Sequence, residues 1–276
     1  MEQYLALTVH IGASEESESL LAFLAEAGFD GMEELADRLI AYRADNDWDR
    51  SEVDAYLTEH GLSYSYDRLE KTNWNQLWES NFEPVQVDDF VGMRASFHPP
   101  FLNVQHELII TPKMSFGTGH HATTRLMIQA MRDQVVPEAR VLDFGTGTGV
   151  LAILAKKMGA GHVVGIDVED WSVENAIENA QENKVNDIVF VCADRITNSG
   201  PFDLVLANIN RNILLEHLSA LQTVLAPSGR LIMSGIIEED LPVMDQALVQ
   251  QGFQRVSYAQ EKGWICIQLI HNQSNG

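Results

Sequence analysis

The stretch that decides the fold is Val141-Leu142-Asp143-Phe144-Gly145-Thr146-Gly147-Thr148-Gly149. A short apolar run ends in an acidic residue and enters a turn that has glycine at every second position. An apolar helical pattern begins at once with Val150. The stretch therefore predicts a strand, a tight turn and a helix. Glycines allow a ligand to approach the backbone closely, and the amides at the start of the helix point at that ligand.

The spacing of these glycines excludes one class of ligand. The dinucleotide fingerprint G-x-G-x-x-G would need glycine at position 150, where the chain has Val150. The turn therefore favours a nucleoside ligand without a pyrophosphate, and S-adenosylmethionine is the leading candidate. A nicotinamide-dependent oxidoreductase is the disfavoured alternative.

The turn belongs to a regular series of strand and helix patterns that predicts an α/β domain over residues 85–276. Alternating strands and helices predict a parallel sheet covered on both faces. The last two strands are joined by only four residues, so they must pair antiparallel. The predicted strands are 140–144, 162–167, 188–192, 202–208, 230–236, 253–259 and 264–270, and the predicted helices are 149–158, 171–183, 211–224 and 238–250. Before them come short strands at 85–91 and 108–111 and a helix at 119–132.

Residues 1–70 predict a separate small α+β domain with the order β-α-β-β-α-β, a ferredoxin-like arrangement. Strand patterns lie near 3–9, 29–34, 38–43 and 62–66. One helix is capped by Ser14 and closed by Gly28, and a second runs from about 48 to 59 and is closed by Gly61. Apolar residues at helical spacing between Asn73 and Pro84 predict a linker helix over residues 71–84 that the proline ends.

The chain is strongly acidic, with a formal net charge of −22, and residues 1–90 carry −16 of it. Such a surface repels phosphate backbones, so direct binding to nucleic acid is not expected, and it attracts a basic protein partner. Solubility alone is the alternative explanation. No apolar run approaches the roughly 18 residues that a membrane-spanning helix needs, and no secretory signal precedes the first strand, so a cytoplasmic protein is expected. Cys192 and Cys266 lie in apolar runs, which predicts buried free thiols.

Ligands of parallel α/β sheets lie beyond the carboxyl ends of the strands. Asp167 ends the second predicted strand, 22 residues after Gly145, where a carboxylate can accept hydrogen bonds from both ribose hydroxyls; capping a helix is its alternative role. Asp194 follows the third strand, near the expected adenine, or is a solvated loop residue. Asn208 ends the fourth strand, where its amide would meet the methyl donor and an acceptor nitrogen, or form an Asx turn.

The segment Phe116-Gly117-Thr118-Gly119-His120-His121-Ala122-Thr123-Thr124 precedes the sheet. Thr118 is the expected cap of the next helix, whose N-terminus suits an anionic group such as a carboxylate. His120 and His121 are adjacent and have no evident third ligand nearby, so no metal site is predicted.

With these motifs the chain resembles the ribosomal protein L11 methyltransferase family (PrmA type) of class I S-adenosylmethionine-dependent methyltransferases. The resemblance rests on Trp74–Pro84, FGTGHHATT at 116–124, DFGTGTG at 143–149 and LANIN at 206–210. It implies a Rossmann-like seven-stranded sheet and cofactor contacts at Thr124, at Gly145 and Gly147 of the turn, at Asp167 and at Asn208. It also implies that residues 1–70 recognise a basic protein of the large ribosomal subunit, whose lysine or N-terminal amines are methylated.

The acceptor amine must be neutral to react, and lysine is mostly protonated at pH 7. No carboxylate or histidine stands out as a general base, so Asn208 is expected to orient the nitrogen. Methyltransferases for glutamine side chains or nucleobases typically place Asn-Pro-Pro-Tyr here, whereas this chain has Asn208-Ile209-Asn210 without an aromatic ring. A methyltransferase for another protein or a small molecule, and a non-catalytic adaptor, are the remaining alternatives.

Overall fold

The computed structural model describes residues 3–10, 20, 23–24, 27–29, 31–34, 37–45, 48–69, 83–111, 117–196 and 200–271. The chain divides into two compact units, residues 1–80 and 81–276. Residues 71–82, which hold most of the predicted linker helix, lie outside the described residues.

The first unit contains a four-stranded antiparallel sheet in the order β2-β3-β1-β4. Its elements are β1 (Gln3–His10), β2 (Gly31–Glu34), β3 (Arg38–Asp45), α1 (Ser51–Glu59) and β4 (Ser63–Leu69). Alternate residues of β1 and β3 and the apolar side of α1 share one core: Leu7, Val9, Leu39, Ala41, Val53 and Leu57. Most of the helix predicted between β1 and β2 lies outside the described residues, although Leu20 and Leu24 within it are helical and buried.

The second unit contains the predicted seven-stranded sheet. Its strands are β8 (Arg140–Phe144), β9 (His162–Asp167), β10 (Ile188–Cys192), β11 (Phe202–Asn208), β12 (Leu225–Ile237), β13 (Phe253–Glu261) and β14 (Trp264–His271). Their order in the sheet is β10-β9-β8-β11-β12-β14-β13. Strands β8 to β12 run parallel, and β14 is antiparallel to both of its neighbours. The chain leaves β8 toward β9 and β10 and returns to β11 on its other side, so a crevice opens beyond the ends of β8 and β11.

Helices cover both faces of this sheet, as the sequence predicts. They are α2 (Ala122–Met131), α3 (Val150–Lys157), α4 (Asp170–Glu182), α5 (Arg211–Val224) and α6 (Leu241–Gln250). One core cluster packs α2 and α3 on the sheet, and a second packs α5 and α6 on the opposite face. The helix predicted from residue 238 begins as a 3-10 turn, Glu238–Asp240, and becomes α-helical where Pro242 lies in the first turn.

The segment before α2 forms three strands rather than the two that the sequence predicts. They are β5 (Val85–Val87), β6 (Val91–Arg94) and β7 (His106–Ile109), in a separate sheet of that order. The predicted strand 85–91 is a hairpin, because the chain reverses at Asp88, which has a φ of 51°. Because the residues on either side of the turn are apolar, the sequence pattern resembles one continuous strand and does not reveal the reversal.

The prediction of two buried thiols is wrong for Cys192, which is exposed, whereas Cys266 is buried and free. Cys192 ends β10, and β10 is an edge strand of the sheet. An apolar run at a sheet edge therefore does not imply burial. In the described part of the chain, no helix is long and apolar enough to cross a membrane.

Candidate functional site

The glycine turn between β8 and α3 is held by backbone hydrogen bonds. The amides of Gly145 and Thr146 both donate to the carbonyl of Ile166 in β9, at 2.8 and 2.9 Å. Gly145 has a φ of 79°, and a Cβ there would lie 2.1 Å from Cγ2 of Ile209. Any larger residue at 145 would therefore combine backbone strain with a collision, which explains the glycine physically.

Asp143 supports this turn from beneath and is fully buried. Its Oδ2 accepts hydrogen bonds from Thr146 Oγ1 at 2.7 Å and from the Ala152 amide at 3.2 Å, while its Oδ1 has no partner among the described residues. Burial raises the pKa of the Asp143 carboxyl to about 7, and the nearby charge of Asp167 adds to the rise. The two hydrogen bonds act in the opposite direction. Asp143 therefore shapes the turn from within the protein.

Asp167, the predicted ribose ligand, lies at the end of β9 on the wall of a cavity. Its Oδ2 accepts from the Gly147 amide at 2.8 Å, and its Oδ1 accepts from the Glu169 amide at 3.1 Å. Asp167 does not cap α4, because the N-cap residue of that helix is Glu169, and the bond from the Glu169 amide only forms a turn just before the helix. An ionised carboxylate has about four acceptor sites, so two bonds leave capacity for ribose hydroxyls. The contact with ribose stays a prediction.

Asn208 ends β11 with 8% of its surface exposed and also lines the cavity. Its Nδ2 donates a long hydrogen bond of 3.5 Å to Oγ1 of Thr124. Its Oδ1 is buried and has no hydrogen-bond partner within the described part of the chain. An unsatisfied buried acceptor costs about 1–3 kcal/mol, so a ligand that donates to Asn208 recovers this free energy.

Thr124, a predicted cofactor contact, is fully buried behind Asn208, and its neighbour Thr123 lines the cavity instead. The cap of α2 also differs from the prediction. His121, not Thr118, caps the helix, because its Nδ1 accepts from the Thr123 amide at 3.3 Å. Thr118 Oγ1 instead lies 3.1 Å from His120 Nδ1.

His121 reaches the cavity, and the pKa of its imidazole is lowered, first by burial and then by the charge of Arg125. Its ring packs edge-on against the indole of Trp264, with centroids 4.7 Å apart and an interplanar angle of 68°. His120 is exposed and is not among the residues that line the cavity. The two adjacent histidines therefore have different surroundings.

These side chains surround a cavity of about 770 Å³ beyond the carboxyl ends of the parallel strands. Gly145, Gly147, Asp167 and Asn208 come together there as the sequence predicts, and Asp194 lines it from the end of β10. Its size lies in the range of roughly 300–1,000 Å³ that small-molecule sites occupy.

A family model described as "Ribosomal protein L11 methyltransferase (PrmA)" matches residues 3–272. The chain belongs to this family. A ribosomal protein L11 methyltransferase of Porphyromonas gingivalis is 39% identical over 91% of this chain and 89% of that protein. One from Bacteroides thetaiotaomicron is 34% identical over 98% of this chain and 100% of that protein. The crystal structure of ribosomal protein L11 methylase from Lactobacillus delbrueckii subsp. bulgaricus is 32% identical, with a TM-score of 0.65 over 70% of this chain and 100% of that chain.

Family membership confirms the resemblance that the four motifs carry, and with it the class I methyltransferase sheet. Part of the cavity wall is nevertheless formed by residues outside these motifs. Trp264 begins β14, and Gly235 lies within β12. Glu216 and His217 lie on α5, and the His217 ring is 4.9 Å from that of Phe144. The start of an antiparallel strand lies beside the carboxyl ends of its parallel neighbours, which places Trp264 at the cavity once β14 is known to lie next to β12.

The cavity of this methyltransferase has an acidic wall. Asp167, Glu169, Asp194 and Glu216 line it, and no lysine or arginine of the described residues does. Such a wall favours a cationic ligand over a phosphate-bearing one. Within the described ranges, no three His, Cys, Asp or Glu side chains are grouped as metal ligands.

Proposed function

We propose that this chain transfers methyl groups from S-adenosylmethionine to amino groups of ribosomal protein L11. The acceptors are lysine side chains, the N-terminal α-amine or both. The observation that carries the proposal is Asn208, a buried amide beside the glycine turn that lines the cavity and whose Oδ1 has no hydrogen-bond partner among the described residues. An N–H of the amine that receives the methyl group would donate this hydrogen bond.

The residues of the cavity fit S-adenosylmethionine. Asp167 has acceptor capacity for the ribose hydroxyls, and Gly145 and Gly147 let the ligand lie close to the backbone. The acidic wall suits a sulfonium, while a dinucleotide would bring two phosphates next to four carboxylates. When bound, this cofactor supplies a methyl group activated on positively charged sulfur. Thr124 contributes through Asn208, its hydrogen-bond partner.

The chain's own contribution to the chemistry is to orient a neutral amine. Only an unprotonated nitrogen has the lone pair that forms the new N–C bond. An N–H donated to Asn208 Oδ1 would fix the direction of that lone pair, and correct orientation of reacting groups accounts for a large part of many rate enhancements. The carboxylates of the wall attract the protonated amine to the cavity mouth, from which its proton is lost to water.

The partner is inferred from charge. Residues 1–90 carry a net charge of −16, which favours association with a basic protein and disfavours extensive contact with nucleic acid. We assign recognition of the ribosomal protein to residues 1–70 and a linker role to residues 71–84. A ribosomal substrate also places the enzyme in the cytoplasm, away from membranes.

The test is mass spectrometry of purified, unmethylated L11 after incubation with the full-length protein and labelled S-adenosylmethionine. We expect label on L11 amines and none on an unrelated basic protein of similar size. Label confined to another ribosomal protein or to a small molecule would reassign the acceptor, and absence of label on all of them would refute the proposal. A melting-temperature shift with S-adenosylmethionine but not with NAD tests the cofactor separately.

A further inference from the structure

The aromatic side of the cavity has no role in the function proposed above. Trp264 is half-buried at the start of β14, where the register with β12 pairs it with Ile237. Its indole and the His121 ring contact each other edge-on and line the same cavity as Asn208. Two aromatic rings therefore line the same cavity as an amide oxygen that has no hydrogen-bond partner among the described residues.

The surroundings of the His121 ring disfavour its protonated form. Burial, and then the charge of Arg125, lower the pKa of the imidazole. Its Nδ1 also accepts from the Thr123 amide at 3.3 Å and lies 2.8 Å from Thr123 Oγ1, so a proton on this nitrogen would disturb both contacts. His121 and Trp264 therefore form an aromatic part of a cavity that is otherwise rich in carboxylates.

Methylation changes which residues of the cavity can bind the substrate nitrogen. Each added methyl group replaces one N–H, so the amine has fewer hydrogen bonds to donate to Asn208 Oδ1. A methylated ammonium instead keeps its charge and gains an apolar shell, which is the kind of cation that binds the face of a tryptophan best. Asn208 is thus suited to the unmethylated amine, and the rings of Trp264 and His121 are suited to the methylated ammonium.

We propose that Trp264, backed by His121, binds the methylated ammonium after the first transfer and so allows the same amine to be methylated again. This inference rests on the proposed function. In each round the nitrogen lone pair forms an N–C bond, the S–C bond breaks with its electron pair left on sulfur, and one proton leaves to water. The aromatic wall retains the methylated ammonium between two rounds, and its contact with the charge ends when the proton is lost.

The first test measures binding without catalysis. Calorimetry with the full-length protein compares Nε-trimethyllysine with a neutral analogue that has carbon in place of the charged nitrogen. We expect the cation to bind about three- to thirtyfold more tightly to the wild type, the range of a cation–π contact. Trp264→Leu should abolish the preference and Trp264→Phe should keep part of it. Equal binding of the two probes to the wild type would overturn the proposal.

The second test measures the ratio of the rate of the second transfer to the rate of the first on L11, at saturating methyl donor. Trp264→Leu should lower this ratio about tenfold and Trp264→Phe less. Trp171→Leu is the matched control, because Trp171 is a second tryptophan that lines the same cavity and is half-exposed. An unchanged ratio in Trp264→Leu, or an equal fall in Trp171→Leu, would refute the inference.

The outcomes for the wild type separate the two proposals. If it adds one methyl group per amine and stops, the aromatic inference fails and the proposed function stands. If it labels no amine of L11, the proposed function fails, while the binding test still reports whether Trp264 prefers a methylated cation. Unfolding of each variant by heat checks that a changed ratio reflects the site rather than a loosened β14.

Discussion

The two ends of the cavity are built in different ways. At the nucleoside end, the amides of Gly145, Thr146 and Gly147 all donate to protein acceptors, and Asp167 accepts two backbone hydrogen bonds. At the acceptor end, Asn208 keeps a buried oxygen without a partner within the described residues. The backbone amides of the glycine turn are thus bonded before a ligand binds, whereas Asn208 at the cavity wall leaves one hydrogen bond for a ligand to supply. Oδ1 of Asp143 also has no partner among the described residues, but Asp143 is buried under the turn and does not line the cavity.

The two ends therefore contribute different properties to the site. A turn whose backbone amides are already hydrogen-bonded keeps its shape, and a preformed binding site loses less free energy to ordering when a ligand binds. A buried acceptor without a donor destabilises the free protein slightly, and the correct ligand removes that penalty. We therefore expect substitutions at the nucleoside end to change the stability of the protein and its affinity for S-adenosylmethionine. Substitutions at the end that holds Asn208 should change turnover.

The largest expected effect concerns Asp143 and pH. Its pKa is raised from 3.8 to about 7 by burial, so between pH 4 and 7 the folded protein binds a proton that the unfolded chain has lost. The stabilising contribution of this group is therefore complete below about pH 4 and is lost as pH rises to about 7, with a change of about 4 kcal/mol.

Asp143→Asn removes this titration and keeps an acceptor for Thr146. Urea unfolding of both proteins across this pH range measures the difference in their free energies of unfolding, in which the other titrating groups cancel. The free energy of unfolding of the wild type should fall relative to that of the variant as pH rises. A difference that does not change with pH would contradict the role assigned to the buried carboxyl.

The second prediction is that Asp167→Ala weakens donor binding more than a hundredfold, by about 3 kcal/mol, because hydrogen bonds to a charged group are worth roughly 1.5–3 kcal/mol each. The amides of Gly147 and Glu169 lose their acceptor at the same time. Calorimetric titration with S-adenosylmethionine measures the effect. Asp194→Ala, at an exposed carboxylate on the same cavity, serves as the control and should change the affinity far less.

The nucleoside end is also the part that the sequence predicts best. Its residues lie in continuous motifs, and four strand patterns, 140–144, 162–167, 188–192 and 202–208, match β8 to β11 to the residue. The buried strands are short apolar runs bounded by turn residues, so their ends are marked in the sequence. Asp167 and Asn208 stand at those ends and reach the cavity as expected.

The acceptor end could not be read from the sequence in the same way. His121, Asn208 and Trp264 are separated by 87 and 56 positions along the chain, and they meet only because β14 is inserted between β12 and β13. The sequence shows that the last two strands pair antiparallel, but it does not show which of them lies beside β12. The hidden position of Thr124 has a similar cause, since adjacent residues of a helix face different directions.

The third prediction tests the acceptor end directly. Asn208→Ala should lower kcat about a hundredfold, the effect of removing one positioned polar group, with a smaller change in donor affinity. It should change the stability of the fold only slightly, because the oxygen it removes has no partner within the described residues and the hydrogen bond that it loses, from Nδ2 to Thr124 Oγ1, is long at 3.5 Å. Single-turnover kinetics and donor titration separate the two quantities.

Asn208→Asp is the matched variant, since it keeps an oxygen acceptor in the same place. It should recover part of the lost turnover. If Asn208→Ala leaves both cofactor affinity and turnover unchanged, the orienting role is wrong, and the distinction between the two ends of the cavity fails with it.

The smallest effect is expected at Thr124, where the sequence and the structure suggest different roles. Family resemblance implies a cofactor contact, whereas the hydroxyl lies behind Asn208 and accepts its Nδ2–H. Thr124→Val keeps the shape and removes that acceptor, so we expect kcat to fall about threefold, from a loss of about 0.5–1 kcal/mol, with donor affinity nearly unchanged. Thr124→Ser should restore turnover. A loss confined to donor affinity would instead place Thr124 in direct contact with the cofactor and move it from the acceptor end to the nucleoside end.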